Sequence, residues 1–299
     1  MKRMNYEEFE EYVKENLKIL LPEAYEDFDI LIREVRRPGY SYHGLMLTGK
    51  EEGCGVIADL DHYYQEYRRP VPISKIMLSI ASMVQERIPD VEFGDIQDYE
   101  KVRSRLFIRV MNRMWCWDYL SRVPYRAIED LAVTSHILVT MNGGQVSSTP
   151  VTKELLETYG VSEDQLFEDA MENGKRLFPP EIRYMADVLE VNRDERAERI
   201  ITNAHGINGA AALFYPGEMD EVAGLMGGDY YAVPTSIHEM ILVPDKDDIS
   251  EAKMNQALQR TICDITDERD WLSDHIYFYD SKQHVFLSIG FNGDLKSLA

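Results

Sequence analysis

The chain has 299 residues, which is enough for one large domain or two modest domains with a core each. Its 53 acidic residues outnumber 32 basic ones and give a formal net charge of −21. This charge disfavours direct binding to nucleic acid and to anionic membranes, because phosphate contacts depend on Lys and Arg. An acidic surface first serves solubility, and it also suits a decoy that mimics nucleic acid.

Cysteine usage and the first residues indicate the compartment. Cys54, Cys116 and Cys263 lie far apart without a CxxC pair, so neither a disulfide framework nor a zinc knuckle is expected. The segment MKRMNYEEFEEYV has no apolar targeting core, and no run approaches the ~20 apolar residues that span a bilayer. The sequence therefore predicts a cytoplasmic protein without a membrane segment, and it indicates no cofactor and no metal.

The first predicted elements are an amphipathic helix and two strands. Apolar residues recur every three or four positions from Tyr6 to Leu20, which predicts a helix that Pro22 stops. Strands are predicted for 28–35 and 42–47, on either side of a turn at Arg37-Pro38-Gly39.

A second amphipathic helix is predicted for 73–88. Before it, Asp59-Leu60-Asp61-His62 looks like a cluster of metal ligands. At a helix start, however, the two aspartates more simply favour the positive end of the helix dipole.

Residues 102–112 alternate basic and apolar side chains, which predicts a strand with one basic face. Arg103, Arg105 and Arg109 on this face form a candidate anion-binding site, because guanidinium groups suit phosphate oxygens. The simpler interpretation is ion pairing with the many acidic residues of the chain.

The middle of the chain contains a strand, a turn and a helix. An apolar run at 131–139 leads into MNGGQVSSTP, which is predicted to be a domain boundary or an exposed hairpin tip. Ser162 is the predicted N-cap of a helix that runs to about Phe178, before two prolines. Strands and helices mix without regular βαβ alternation, which favours an α+β fold with mixed or antiparallel sheets and packed amphipathic helices.

Two subdomains are predicted. The N-terminal α+β subdomain covers 1–140, a hairpin tip and helical connector cover 141–198, and the C-terminal α+β subdomain covers 199–299.

The pair His238-Glu239 resembles the start of a metalloprotease motif, but the residues that follow do not complete the motif. The HExxH motif of zincins requires a second histidine on the same helix face, and none follows here. If 237–243 is a strand, adjacent side chains point to opposite faces, so the pair cannot form one site without a bulge.

The segment from Asn203 to Gly209 is predicted to be a hairpin, because Gly206 and Asn208-Gly209 tolerate positive φ. If it pairs beside 237–243, polar side chains of both segments converge at one end of a sheet. The candidate ligand-binding residues are therefore Asn203, His205, Asn208, His238 and Glu239. No catalytic residue is predicted, since the sequence has no GxSxG elbow, no P-loop and no GxGxxG after a strand.

Several long strings resemble an uncharacterised bacterial family, domain of unknown function 5688. They are NAHGINGAAALFYPG, YYAVPTSIHEMILVPD and LSDHIYFYD, joined earlier in the chain by YEKVRSRLFIRVMNR, VPYRAIEDLAV and TYGVSEDQLFEDAMENGKRLFP. NGKRLFP, VPTSIHEMILV and LSDHIYFYD are more distantly similar to a second uncharacterised family, UPF0354. The resemblance covers most of the chain and implies no activity, cofactor or catalytic residue.

Three functions stay open at this point. The first is a non-enzymatic binding or regulatory protein with an unknown protein partner. The second is a hydrolase or phosphate-handling enzyme that uses polar residues of the C-terminal sheet. The third is an acidic decoy of a DNA-binding protein. The sequence does not indicate an oligomeric state.

Overall fold

A computed structural model shows an α+β protein whose described strand pairs are all antiparallel, which confirms the predicted fold class. The structure describes residues 3–26, 28–37, 40–48, 54–87, 96–142, 145–192, 198–246, 250–264 and 266–289. The chain forms two compact units, Met1–Lys101 and Val102–Ala299. No helix in these described ranges has the length and apolar character needed to cross a membrane.

The first unit is a three-stranded sheet with helices packed on it. Its sheet order is β1-β2-β3, and its core contains Phe9, Val13, Leu45, Leu60 and Ile80. Its elements are α1 (Tyr6–Asn16), β1 (Asp29–Arg37), β2 (Tyr40–Thr48), β3 (Cys54–Asp59), α2 (Leu60–Arg68) and α3 (Ile73–Arg87), and α4 (Tyr99–Val102) lies at the division between the units.

Local signals account for the elements of this unit. Asn5 and Glu8 form a reciprocal capping box that begins α1. Asp59 accepts a hydrogen bond from the backbone N–H of His62, so it caps α2 as the helix-start interpretation predicted. The predicted turn between β1 and β2 includes Pro38 and Gly39, which lie outside the described residues.

The second unit contains two sheets. In the four-stranded sheet, β6 pairs with β4 along one edge and with β5 and β7 along the other. The six-stranded sheet has the order β13-β12-β10-β11-β9-β8. The elements of this unit are β4 (Leu106–Asn112), α5 (Trp117–Leu120), β5 (Tyr125–Ile128), β6 (Leu131–Asn142), β7 (Gln145–Pro150), α6 (Lys153–Tyr159), α7 (Glu163–Leu177), β8 (Pro180–Tyr184), α8 (Met185–Val188), β9 (Arg199–Asn203), α9 (Glu218–Met226), β10 (Tyr230–Ser236), β11 (Glu239–Pro244), α10 (Glu251–Asp264), β12 (Ile276–Asp280) and β13 (Val285–Ile289).

Two predictions for the middle of the chain agree with the structure. Ser162 caps α7 by accepting a hydrogen bond from the N–H of Gln165, and the helix ends at Leu177. MNGGQVSSTP forms the end of the β6–β7 hairpin, where Asn142 pairs with Gln145, and Gly143 and Gly144 lie outside the described residues. The predicted subdomain boundary at residue 140 therefore falls inside β6, and the compact units divide after Lys101 instead.

The strand predicted for 102–112 begins only at Leu106. Arg103 and Arg105 lie in a 3-10 turn that precedes β4, and Arg109 alone of the three candidate arginines is on the strand. Val102 and Leu106 are both fully buried, and their spacing of four is helical. The alternation of basic residues therefore did not reflect a strand over its first four positions.

The predicted hairpin at 203–209 is also wrong. β9 ends at Asn203, and the segment 209–214 is a 3-10 helix whose six residues are all buried. In this segment burial does not alternate from one residue to the next, so the period of two that indicates a strand is absent. β9 pairs with β8 and β11 instead of with a strand that follows it directly.

Candidate functional site

The centre of the candidate site is Asp130, in the turn between β5 and β6. Tyr277 donates a hydrogen bond to its Oδ1 at 2.6 Å. Ser273 and Asn112 donate to its Oδ2 at 2.7 and 2.9 Å. A carboxylate has about four acceptor positions, two on each oxygen, so Oδ2 is filled and one position is left on Oδ1 for a further partner. Because Asn112 ends β4 and Tyr277 lies on β12, Asp130 links the two sheets of the second unit.

The donors of Asp130 are buried and keep their protons. The Tyr277 and Ser273 side chains are completely buried, and Asn112 is nearly so. Burial, followed by the negative charge of Asp130, raises the pKa of Tyr277 well above its ordinary value. The tyrosine hydroxyl therefore keeps its proton at neutral pH and donates it to Asp130.

The turn that carries Asp130 is strained. Ile128 pairs with Leu131, so the loop contains only Glu129 and Asp130. Glu129 has a φ of 54°, a left-handed conformation that costs a residue with a Cβ atom about 1–3 kcal/mol. Ser288 on β13 donates a hydrogen bond to the Glu129 carboxylate at 2.7 Å and holds this turn. Strain that is held in place by other contacts is a feature of functional sites.

Asp274 and His275 lie beside Asp130. Nδ1 of His275 is 2.7 Å from Oδ1 of Asp274 and 3.6 Å from Oδ2 of Asp130. Ser273 fixes this approach, because its hydroxyl also accepts a hydrogen bond from the backbone N–H of His275 at 3.0 Å. One ligand atom from each of Asp130, Asp274 and His275 lies within 4.8 Å of the others.

The Nδ1 atom of His275 shows what this group can do. It is buried and has no hydrogen-bond partner among the described residues, although the Asp274 oxygen lies close enough for one. Two carboxylate oxygens and an imidazole nitrogen thus gather at one point, where His275 and Asp274 are at ion-pair distance without the angle of a hydrogen bond. With Zn–N and Zn–O distances of about 2.0–2.2 Å, neighbouring ligands of tetrahedral zinc lie about 3.3–3.6 Å apart. The 3.6 Å between His275 and Asp130 matches this spacing, and the 2.7 Å between His275 and Asp274 would have to widen around a cation.

An exposed aromatic loop lies next to this group. Both backbone N–H groups of Met114 and Trp115 donate to Oδ1 of Asn112, whose Nδ2 donates to Asp130. The Trp115 ring lies 6.3 Å from the ring of Trp271, between centroids. Met114 and Trp117 remain 67% and 70% exposed, so the loop presents apolar surface to solvent.

The structure brings together three of the predicted ligand-binding residues. These are Asn203, Asn208 and His238. The backbone N–H of Asn208 donates a hydrogen bond to Nδ1 of His238 at 3.1 Å. In the same loop, the Asn203 side chain accepts a hydrogen bond from the backbone N–H of His205 and donates one to the Ile207 carbonyl. Nε2 of His238 lies 3.3 Å from Asp270. Both ring nitrogens of His238 therefore face protein partners, which is the arrangement of a histidine that joins two loops.

His205 and Glu239 do not share that position. The His205 side chain is exposed and its ring packs against Phe178, with 5.6 Å between centroids. Glu239 begins β11, whereas His238 lies in the turn before it, where β10 has a bulge between Pro234 and Ser236. The strand considered for 237–243 therefore begins at Glu239, and His238 lies outside it. A ligand-binding role for these side chains stays a prediction.

Two of the three candidate anion-binding arginines have protein partners, and the three do not lie on one strand. Arg103 pairs with the buried carboxylate of Asp169 at 2.9 Å, as the simpler interpretation predicted. Arg109 donates to the Ser148 hydroxyl at 2.8 Å and lies over the Phe107 ring. Arg105 is in the 3-10 turn with Arg103, away from the strand on which it was predicted.

The sequence interpretation missed the group formed by Asp130, Asp274 and His275. Two local signals were present: an Asp-His pair directly before the alternating segment IYFYD, and an aspartate directly before the long apolar strand β6. Neither signal shows that the two segments meet, because Asp130 and Ser273 are 143 residues apart in the chain.

Comparisons with known proteins identify the chain at the level of a family. Residues 6–281 match the model of a family that is described as a family of unknown function, DUF5688. The match confirms the resemblance drawn from the long strings, but the more distant similarity to UPF0354 is not shown. Neither the curated proteins nor the solved structures contain a match.

Proposed function

The chain belongs to DUF5688, a family of unknown function, and we propose that it is a binding protein whose ligand is a divalent cation. The cation is held by Asp130, Asp274 and His275. This proposal gives a ligand to the first of the three functions that the sequence left open.

The buried Nδ1 of His275 carries the proposal. Its contact with Asp274 at 2.7 Å lacks the geometry of a hydrogen bond, and a buried polar atom without a hydrogen bond is costly, by about 1–3 kcal/mol. A cation that replaces the missing hydrogen bond explains both this atom and the closeness of two carboxylates. The side chains of Asp130, Asp274 and His275 retain 16%, 23% and 33% of their exposure, so a cation can reach them from solvent.

The surroundings of Asp130 support the same conclusion. Metal-binding carboxylates are oriented by hydrogen bonds from neighbouring side chains, and Asp130 has three such donors. One nitrogen and two oxygens suit Zn²⁺ or Mn²⁺ better than Ca²⁺, which takes six to eight oxygen ligands. Three protein ligands also leave a position for water or for a bound molecule.

The test is calorimetric titration of the full chain with ZnCl₂ at about 0.15 M salt, where general attraction to an acidic protein is screened. We expect saturable binding of one Zn²⁺ to the wild type at this centre. Asp274→Asn and His275→Gln should each weaken it by at least about tenfold, because each removes one of three ligands. Both residues are partly exposed, so these variants should fold.

The matched control is His284→Gln. His284 also lies beside an aspartate, but its Nδ1 forms a hydrogen bond with Asp220 at 2.8 Å. Its removal should leave the affinity for Zn²⁺ unchanged. The proposal fails if the wild type does not bind, or if Asp274→Asn and His275→Gln bind as tightly as His284→Gln.

The two other functions predicted from the sequence stay predictions. A hydrolase or phosphate-handling enzyme was expected to use His205, His238 and Glu239, and no contact in the described part of the chain joins His205 to the other two. The acidic decoy rests on net charge alone.

A further inference from the structure

A cleft at the end of α9 is separate from the proposed metal centre. It is widely open to solvent, has a volume of about 310 Å³ and is lined by Asp220, Ala223, Gly224, Gly227, Gly228 and Ser281. This volume lies at the lower end of the range of small-molecule sites, which is about 300–1,000 Å³. The cleft therefore has room for a ligand of a few heavy atoms.

Asp220 supplies a negative charge with an available acceptor atom. Its Oδ1 accepts hydrogen bonds from the Tyr279 hydroxyl at 2.5 Å and from His284 Nδ1 at 2.8 Å. Within the described ranges, its Oδ2 has no donor. The hydrogen bonds from Tyr279 and then from His284 hold the pKa of Asp220 below its ordinary value, so it is ionised at neutral pH.

The backbone adds a second source of negative potential. Gly227 ends α9 in a left-handed conformation with a φ of 86°, and its N–H and that of Gly228 both donate to the Ala223 carbonyl. The Gly224 carbonyl has no backbone donor among the residues that the structure describes. Carbonyls that are left open at a helix C-terminus attract cations.

A third acceptor comes from Ser281. Its hydroxyl and its backbone N–H both donate to Oδ1 of Asp229, so the Ser281 oxygen keeps its lone pairs for another donor. Lys282, the next residue, is exposed and acts on Asp229. Three residues that line the cleft thus carry an available acceptor, namely a carboxylate oxygen, a carbonyl and a hydroxyl, and an ammonium group has three N–H donors.

We infer that this cleft binds the primary ammonium group of a small aliphatic amine, with Asp220, Gly224 and Ser281 as acceptors. The inference goes beyond the proposed metal site and uses none of its residues. The glycines have no side chains, so a ligand can approach their backbone. A side chain introduced at Gly224 can therefore fill the cleft. An added Cβ at Gly224 would meet no atom within 4 Å, so a larger side chain there can occupy the cleft without a clash.

The experiment is calorimetric titration of the full chain with 1,4-diaminobutane in EDTA and about 0.15 M salt, which removes metal and screens general charge attraction. We expect saturable binding to the wild type and none of the neutral 1,4-butanediol. Gly224→Leu should abolish binding by filling the cleft, and Asp220→Asn should weaken it at least about tenfold. Glu221→Gln removes a neighbouring exposed charge outside the cleft lining and should bind as the wild type does.

Thermal unfolding of each variant separates a blocked cleft from a damaged fold. Gly224→Leu should unfold no earlier than the wild type, because leucine favours a helix more than glycine does. If it unfolds earlier, Asp220→Asn decides the result alone. The inference is overturned if the wild type does not bind the diamine, or if the Asp220→Asn protein binds it within twofold of the wild type. Because EDTA is present, neither outcome bears on the metal centre.

Discussion

Replacing Tyr277 with phenylalanine tests the anchoring of Asp130 directly. The substitution removes one hydroxyl from a fully buried ring and leaves the carboxylate without its donor at 2.6 Å. A hydrogen bond to a charged group contributes about 1.5–3 kcal/mol, so we expect the free energy of unfolding of the second unit to fall by that amount. The ring itself keeps its packing, so the loss reports on the hydrogen bond.

Tyr230→Phe is the matched control. Tyr230 is also fully buried in the six-stranded sheet, but its hydroxyl donates to the neutral carbonyl of Met219 at 3.4 Å. A long bond to a neutral acceptor contributes less, and its loss should cost no more than about 1 kcal/mol.

Urea unfolding followed by tryptophan fluorescence measures both variants. The three tryptophans, Trp115, Trp117 and Trp271, all belong to the second unit, so the fluorescence transition reports on that unit. Equal slopes of free energy against urea would show that the comparison is valid. If Tyr277→Phe costs no more than Tyr230→Phe, Asp130 is not anchored as described here.

Three further predictions concern the fold around the sites. Gly209→Ala should lower the free energy of unfolding by about 1–3 kcal/mol, because the added Cβ would lie 2.7 Å from the Asn203 nitrogen. Gly224→Ala should raise the free energy of unfolding by about 0.5–1 kcal/mol, because an added Cβ there meets no atom within 4 Å. Equal effects of the two substitutions in urea unfolding would refute this prediction. Because hydrogen bonds lower the pKa of Asp220 below its ordinary 3.8, its stabilisation is present above about pH 4 and is lost as the pH falls further. Thermal midpoints of Asp220→Asn should therefore decline less over that acidic range, and a decline parallel to the wild type would contradict the assignment. Burial raises the pKa of Cys116 to about 12, so iodoacetamide at about pH 8 should not label its thiol in the native protein. In urea the thiol should be labelled, and mass spectrometry measures both. Labelling of the native protein as fast as that of the unfolded protein would be inconsistent with burial.

Elements with strong local signals were predictable from the sequence. The cap at Ser162, the helix periodicity from Tyr6 and the apolar run of β6 each depend on neighbouring residues in the chain. Capping hydrogen bonds and side-chain periodicity act over a few positions, so they can be seen without knowledge of the partners.

Two errors came from patterns that fit more than one structure. The alternation of basic residues at 103–109 coincided with a helical spacing between Val102 and Leu106, and burial of that pair decided the conformation. At 209–214, small apolar residues fit either a strand or a buried short helix, and periodicity does not distinguish the two.

The candidate site depends on contacts that no local pattern encodes. Asp130 meets Tyr277 because two sheets pack together, and the hydrogen bond joins residues 147 positions apart. Three of the five candidate residues of the last third, Asn203, Asn208 and His238, lie together, but protein partners already face both ring nitrogens of His238. The candidate site is therefore formed by residues that are distant in the chain and not by a sequence motif.

Anomalous diffraction from crystals of the full chain soaked in Zn²⁺ tests the central claim most directly. We expect an anomalous peak at the zinc edge about 2.0–2.2 Å from carboxylate oxygens of Asp130 and Asp274 and from Nδ1 of His275. That peak should be clearly weaker in crystals of Asp274→Asn soaked at the same zinc concentration. A map with no peak at these three side chains, or with zinc bound beside His284 instead, would contradict the account.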